Sequence, residues 1–293
     1  MRNVVVKITG GLGNQLFQYA AAQNICISQK ANLVFEISHY DNQNPNESIR
    51  KFALDSFGLN YKIIITKKEH NIFYKFTRFE NYLYFFMKKI FYEKINQYNP
   101  EYEKLKAPIH LIGHFQSIKY FNKHKTEIRN SLNLREIQKM LKVKHYENLI
   151  YSVANTVSVH FRRTDFVKDK FGEVAGCELP LTYYYESIKI LGQILKEFSL
   201  IIFSDDIQWV KANFKFEVPI YYVEEEFDAV NDNGVADLYL MSKCNNHIIA
   251  NSTFSWWGAF LNSNLEKIVV SPKWWVLEKY WTPNYEPVIL TNI

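Results

Sequence analysis

Cysteine is scarce: Cys26, Cys177 and Cys244 stand far apart in a chain of 293 residues. An odd, scattered set argues against a disulfide framework and fits a reducing compartment. Long apolar runs are missing as well. The first, Val4-Val5-Val6-Lys7-Ile8, stops at a glycine pair, too early for a signal-peptide core or a membrane span. No later stretch stays apolar long enough to cross a bilayer, so the expected location is the cytoplasm. There are no internal repeats and no low-complexity linker, and no Cys/His spacing suggests zinc. Against these absences, a hydrophobic content of 47% with 22% charged residues is that of an ordinary folded protein, and disorder is not indicated. The length suits two lobes, since a domain commonly holds about 100–200 residues.

What is present is unevenly spread. The segment from Lys62 to Lys106 holds ten Lys/Arg and five Asp/Glu, an excess equal to the +5 of the whole chain, interleaved with aromatic residues. Bases among aromatics bring nucleic acid to mind, but no nucleic-acid motif accompanies them, and none is expected as a partner. The preferred reading is an amphipathic helical insert, at about 60–106, whose lysines are solvated. The sharper alternative is peripheral contact with an anionic inner-membrane surface.

The remainder alternates strand and helix. Asn3 to Thr9 reads as a buried strand ended by Gly10-Gly11, with a helix from Asn14 to Ser28. Ala31–Ile37 and His110–His114 are further strands, and a helical segment then reaches about Tyr146. The same grammar restarts at Thr156–Phe161, continues through strands at 200–203, 247–250 and 268–270, and places helices between them. This predicts an α/β protein of two doubly wound lobes, residues 1–150 and 151–293, with the boundary near 145–155. In such sheets ligands lie beyond the carboxyl ends of the strands.

Three strand ends carry candidate chemistry. Gly10-Gly11-Leu12-Gly13-Asn14-Gln15 lies between strand and helix. Leu16 replaces the third glycine of a dinucleotide fingerprint, and no Lys-Ser/Thr pair makes it a P-loop. Gly11 and Gly13 would let backbone approach a ligand, or simply make a tight turn. His160-Phe161-Arg162-Arg163-Thr164-Asp165 leaves the second lobe's first strand. Adjacent guanidiniums there suit a leaving diphosphate, because arginine bonds phosphate oxygens bidentately. Asp165 would orient one of them or act as a base, and the competing reading is a structural Arg–Asp network. Asn251-Ser252-Thr253 opens a helix, where short polar residues and amides form an anion site or a plain cap. Trp256 and Trp257 follow, with core packing the better reading for at least one. Asp237 sits one turn into another helix, either solvated or facing the strand ends. In Ser204-Asp205-Asp206 the acids are adjacent rather than spaced, and Asp206 has a capping role. No essential metal is therefore expected, the charge that Mg²⁺ would neutralise being met by Arg162 and the 251–253 amides.

Taken together, the blocks at 10–20, 113–121, 160–165, 203–211, 251–259 and 271–275 resemble those of bacterial α-1,2-fucosyltransferases, in order, over residues 1 to about 285. The resemblance is weakest at 60–106. It implies a GT-B type α/β fold, two Rossmann-like lobes facing a cleft, with the donor on the C-terminal lobe and the acceptor on the N-terminal one. It further implies inverting, metal-independent transfer from GDP-β-L-fucose, without a cofactor, to the 2-hydroxyl of a terminal galactoside in a glycan such as a lipopolysaccharide O-antigen. By that resemblance Arg162 holds the β-phosphate, Ser252 and Thr253 share the task, His160 and Asp237 contact guanine, and Asn14 lies near the reacting carbon. Asp165 is the candidate base, with Glu173 and Glu178 as rivals. Transfer to another hydroxyl or to protein, and a non-catalytic GDP-sugar or glycan binder, are the alternatives.

Overall fold

The computed structural model of the protein describes residues 2–41, 43, 49–66, 73–74, 89–93, 98–163, 178–224, 234–273 and 288–291. They divide into two compact units, Met1–Leu134 and Arg135–Ile293.

In the first unit β1 (Asn3–Lys7) lies between β2 (Asn32–Glu36) and β6 (Ile109–Ile112). Outside these stand β3 (Lys62–Thr66), β4 (Phe73–Tyr74) and β5 (Ile90–Tyr92), giving the order β4-β3-β2-β1-β6-β5. Every pairing is parallel except β3 with β4. Val4, Val5 and Val6 are wholly buried, as a central parallel strand covered on both faces requires. Helix α1 (Leu12–Gln29) follows β1. The helix expected after residue 114 is instead a chain of short turns, 118–120, 122–124 and 137–139, with α2 (Lys125–Ser131) and α3 (Leu141–Ser152) among them.

The second unit repeats the plan. Its strands are β7 (Thr156–Phe161), β8 (Ser199–Ser204), β9 (Ile220–Tyr222), β10 (Asn246–Ile248), β11 (Ile268–Ser271) and β12 (Val288–Thr291), in the order β12-β11-β10-β7-β8-β9. Only β12 runs antiparallel to its neighbour. Helices α4 (Leu181–Ile194), α5 (Ile207–Asn213), α6 (Val235–Lys243) and α7 (Thr253–Leu261) connect the strands. One core cluster joins Val157, Val159, Leu200, Ile202 and Ile248 of the sheet to Tyr183, Ile188 and Leu191 of α4.

Two expectations are corrected here. Helix α3, assigned to the first lobe by the expected boundary near 145–155, belongs to the second unit. It is tied to α6 by an ion pair from Lys142 to Asp237 and by the Tyr239 hydroxyl, which donates to Glu147 at 2.6 Å. The described parts of 60–106 are also not α-helical: β3 and β5 are strands of the main sheet, and 100–104 is a single 3₁₀ turn. The β-branched run Ile63-Ile64-Ile65-Thr66 favours a strand over the helix that the charge pattern suggested. The rest of that segment, 67–72, 75–88 and 94–97, lies outside the described residues.

Candidate functional site

Both sheets reverse their strand order beside the first strand of the unit, and open α/β sheets bind ligands at such switch points, beyond the carboxyl ends. In the second unit the switch falls between β7 and β10. Val159 pairs with Ile248 there, and Phe161 pairs with Ser204 on the other side. The register therefore brings the peptide after Phe161, the polar run after Ala250 and Asp205-Asp206 to one edge.

The two arginines part company at this edge. Arg162 Nη1 lies 3.2 Å from Asp205 Oδ2, both side chains about four-fifths buried, while the Arg163 backbone amide donates to Asp205 Oδ1 at 2.9 Å. Asp205 thus clamps the turn and the Arg162 guanidinium at once. Arg163 instead forms an ion pair with Glu178, and its Nε lies 3.4 Å from Asp206 Oδ2. Its guanidinium carbon stands 3.3 Å from the centroid of the Trp209 ring. Such stacking and two carboxylates describe a structural arginine. The network weighed against phosphate binding is therefore what Arg163 makes. Asp206 also caps α5, accepting from the Trp209 amide at 3.3 Å, as the sequence led us to expect.

Across the switch point Ser252 caps α7, its hydroxyl accepting from the Phe254 amide at 3.3 Å. Asn251 is buried beside it. The Phe254 ring lies 5.6 Å from the ring of His160, which is 4% exposed. Gly234 opens α6 with φ 81°, and a Cβ on it would come within 3.1 Å of Phe254. Asp237, three residues on, is paired with Lys142 at 2.7 Å. Helices α6 and α7 meet so closely at Gly258 that a Cβ there would stand 2.8 Å from the Cβ of Met241. Both tryptophans of the 251–259 block belong to packing: Trp257 is wholly buried, and Trp256 stacks on Phe260 at 5.2 Å.

The first unit shows the same device between β1 and β6. Gly10 has φ 73°, and a Cβ on it would meet Asn14 Nδ2 at 2.9 Å. Gly11 caps α1, while Gly13 is buried within the first helical turn. Asn14 Oδ1 accepts from Gln116 Nε2 at 3.0 Å, so one hydrogen bond joins the first turn of α1 to the loop after β6. The glutamines of this block are structural. Buried Gln15 donates to the carbonyls of Gly10 and Lys51 and accepts from the Ala53 amide; buried Gln18 bridges Thr9 to the Gly113 carbonyl. Glu93, just past β5, accepts from the amides of His114 and Phe115 at 2.7 and 2.6 Å.

His160, Arg162, Asp237, Asn251, Ser252 and Thr253 are thus gathered by the second unit, and Gly11, Gly13 and Asn14 by the first. Thr164, Asp165 and Glu173 lie outside the described residues; Glu178 is described, held by Arg163. Three participants escaped the sequence reading: Asp205 as the partner of Arg162, Gln116 as the partner of Asn14, and Lys142 behind Asp237. The first two lie in blocks already singled out; nothing local marks Lys142. Among the described residues no helix is long and apolar enough to cross a membrane.

With this geometry in place, comparison with known proteins is direct. The profile of glycosyl transferase family 11 matches residues 3–286. The O-antigen biosynthesis glycosyltransferase WbnK of Escherichia coli is 34% identical, over 92% of this chain and 93% of that protein. The alpha-1,2-colitosyltransferase of Escherichia coli is 31% identical, over 94% and 93%. Among solved structures, the fucosyltransferase NodZ from Bradyrhizobium superposes with a TM-score of 0.57 at 13% identity, over 100% of this chain and 99% of that one. NodZ alpha-1,6-fucosyltransferase co-crystallized with GDP gives 0.55 at 14%, over 99% and 98%. At such identities the likeness bears on fold, and it bears out the α/β, GT-B type class expected from the motifs. The resemblance to fucosyltransferases noted in the motifs holds along nearly the whole sequence, and the chain belongs to glycosyl transferase family 11.

Proposed function

We propose that this glycosyltransferase moves L-fucose from GDP-β-L-fucose, with inversion, to the 2-hydroxyl of a terminal β-galactoside in a cell-surface glycan. The observation that carries the reading is the second unit's switch point, where Arg162, held by Asp205, stands on one side and the capped start of α7 on the other. A guanidinium and helix-start amides are suited to the oxygens of a departing diphosphate. The motif resemblance supplies the donor. In support, the NodZ structures include complexes named for GDP and GDP-fucose, and the colitosyltransferase relative is named for a 1,2 linkage.

The reaction is a single displacement. The acceptor oxygen forms a bond to the sugar's anomeric carbon, the bond from that carbon to the β-phosphate oxygen breaks, and GDP departs. The hydroxyl proton passes to a base, for which Asp165 is proposed, with Glu173 as a rival; the Arg163 ion pair on Glu178 makes that residue a poorer choice. In an oxocarbenium-like transition state the larger contribution comes from stabilising the leaving group, here Arg162 together with Ser252 and Thr253. By the motif resemblance we assign Asn14 to the neighbourhood of the reacting carbon, and His160 and Asp237 to the guanine. No metal or cofactor is proposed, since Arg162 supplies the positive charge. The kinship with a colitosyltransferase favours one second reading, transfer of a different deoxy sugar by the same machinery.

Incubating the full chain with GDP-fucose or GDP-colitose and a galactoside panel, with and without a chelator, tests both. The expected product is an α-1,2-fucosylated galactoside formed at a chelator-independent rate. Colitosyl product alone supports the second reading, a different linkage removes the regiochemical claim, and a chelator-sensitive rate removes the metal-free one.

A further inference from the structure

Lys142 carries a charge into the second unit that no sequence motif accounts for. It is 5% exposed in the first turn of α3, and its Nζ lies 2.7 Å from Oδ1 of Asp237 in the first turn of α6. Burying an ammonium is costly unless it is paired, and removing its partner is costlier still. The partner is less deeply placed: the Asp237 side chain retains 22% of its exposure against 6% for Lys142. Oδ1 is thus gripped from the inside and is itself buried, which leaves Oδ2 as the oxygen turned outward. It is presented near the phosphate-binding edge, because Gly234 packs on Phe254 and Phe254 on His160. Helix α3 is itself fixed there. Tyr146, one turn after Lys142, accepts from the Glu224 amide just past β9, and Glu147 accepts from Tyr239 of α6.

We infer that Lys142 is a positioning residue for nucleobase selection: anchored to one oxygen of Asp237, it holds that carboxylate so that its outward lone pairs accept both donors of a guanine edge. The inference rests on the proposed placement of the donor's guanine at Asp237. Guanine offers two neighbouring donors, the ring N1–H and the exocyclic amine, which the lone pairs of one outward oxygen can accept together; hypoxanthine offers only the ring N–H. A carboxylate that loses its anchor can turn, and the two-point match is lost before the one-point match.

The test is calorimetric binding of GDP and inosine diphosphate to the full chain, with Lys142→Met and Asp237→Asn, beside the donor KM and kcat of each. The wild type should prefer GDP. Lys142→Met should lose about tenfold of that preference, the size of one charge-assisted hydrogen bond, with a raised donor KM and kcat within about twofold of wild type by the same reasoning. The ratio of the two affinities does not depend on the folded fraction, so a purely structural role leaves it unmoved. Lys142→Leu, which likewise removes the donor, carries the same expectation if the Met variant does not fold. If Asp237→Asn loses the preference while the folded Lys142 variant keeps it, the inference is overturned and the guanine reading stands. If Asp237→Asn keeps the preference, the reading fails and takes the inference with it.

Discussion

Adjacent arginines at one strand end do different work, and the difference is measurable. Arg162 is paired with Asp205 and keeps a fifth of its exposure, so loss of that partly screened pair on truncation to alanine should cost about 1 kcal/mol of stability. Its loss should lower kcat by roughly 10²–10³-fold if it steadies the leaving diphosphate, the usual cost of removing one preorganised donor. Arg163→Ala should do the opposite, destabilising by about 1–3 kcal/mol as Glu178, Asp206 and the face of Trp209 lose their common partner. Thermal unfolding beside steady-state kinetics separates the two. Asp165→Asn should slow turnover less than Arg162→Ala, and normal turnover would end its assignment as base.

Helix packing sets how closely these groups can gather. The contact between α6 and α7 depends on Gly258, since a Cβ would meet both Cβ and Sδ of Met241, at 2.8 and 2.9 Å, and the Cβ cannot swing aside as the sulfur can. Gly258→Ala should therefore force the helices apart at a cost of about 1–3 kcal/mol, seen as a lowered Tm. Donor affinity should fall with it, because Gly234, Phe254 and His160 share that contact. Ser252→Ala should cost about 1 kcal/mol as a lost cap. In the first unit the glutamines of the glycine block, Gln15 and Gln18, use their amides to tie α1 to the segments at 51–53 and 113.

At the scale of the whole molecule, acid sensitivity has an identifiable source. His247 on β10 is wholly buried, with Ser158 Oγ and Asn262 Nδ2 each 2.8 Å from a ring nitrogen. Burial, and then the charge of buried Lys267, push its pKa down to about 3. An unfolded histidine titrates near 6.5, so between these values the unfolded state binds a proton that the folded state refuses. The stability His247 contributes is fully present above about pH 6.5 and is lost as pH falls toward about 3, with a slope approaching 1.4 kcal/mol per pH unit. Urea unfolding at about pH 7.5 and about pH 5 should show this loss in the wild type and a smaller one in His247→Gln; equal losses would exclude His247 as the source.

Sequence alone determined the local devices. Glycines that end a strand, a serine or aspartate that caps a helix, and an arginine one residue past a strand are set by neighbours along the chain, and all were legible. So was the alternation of strand and helix that makes two doubly wound units. Tertiary structure decided the pairings between distant segments: β3 and β5 as sheet strands within a segment that charge counting made helical, Asp205 beside Arg162, and α3 as part of the second unit. These depend on register between parallel strands and on which helix covers which sheet face, and both follow from burial and hydrogen bonding across the fold. Lys142 is the clearest case. A lysine in an ordinary helix reads as solvated, and only packing turns it inward onto Asp237.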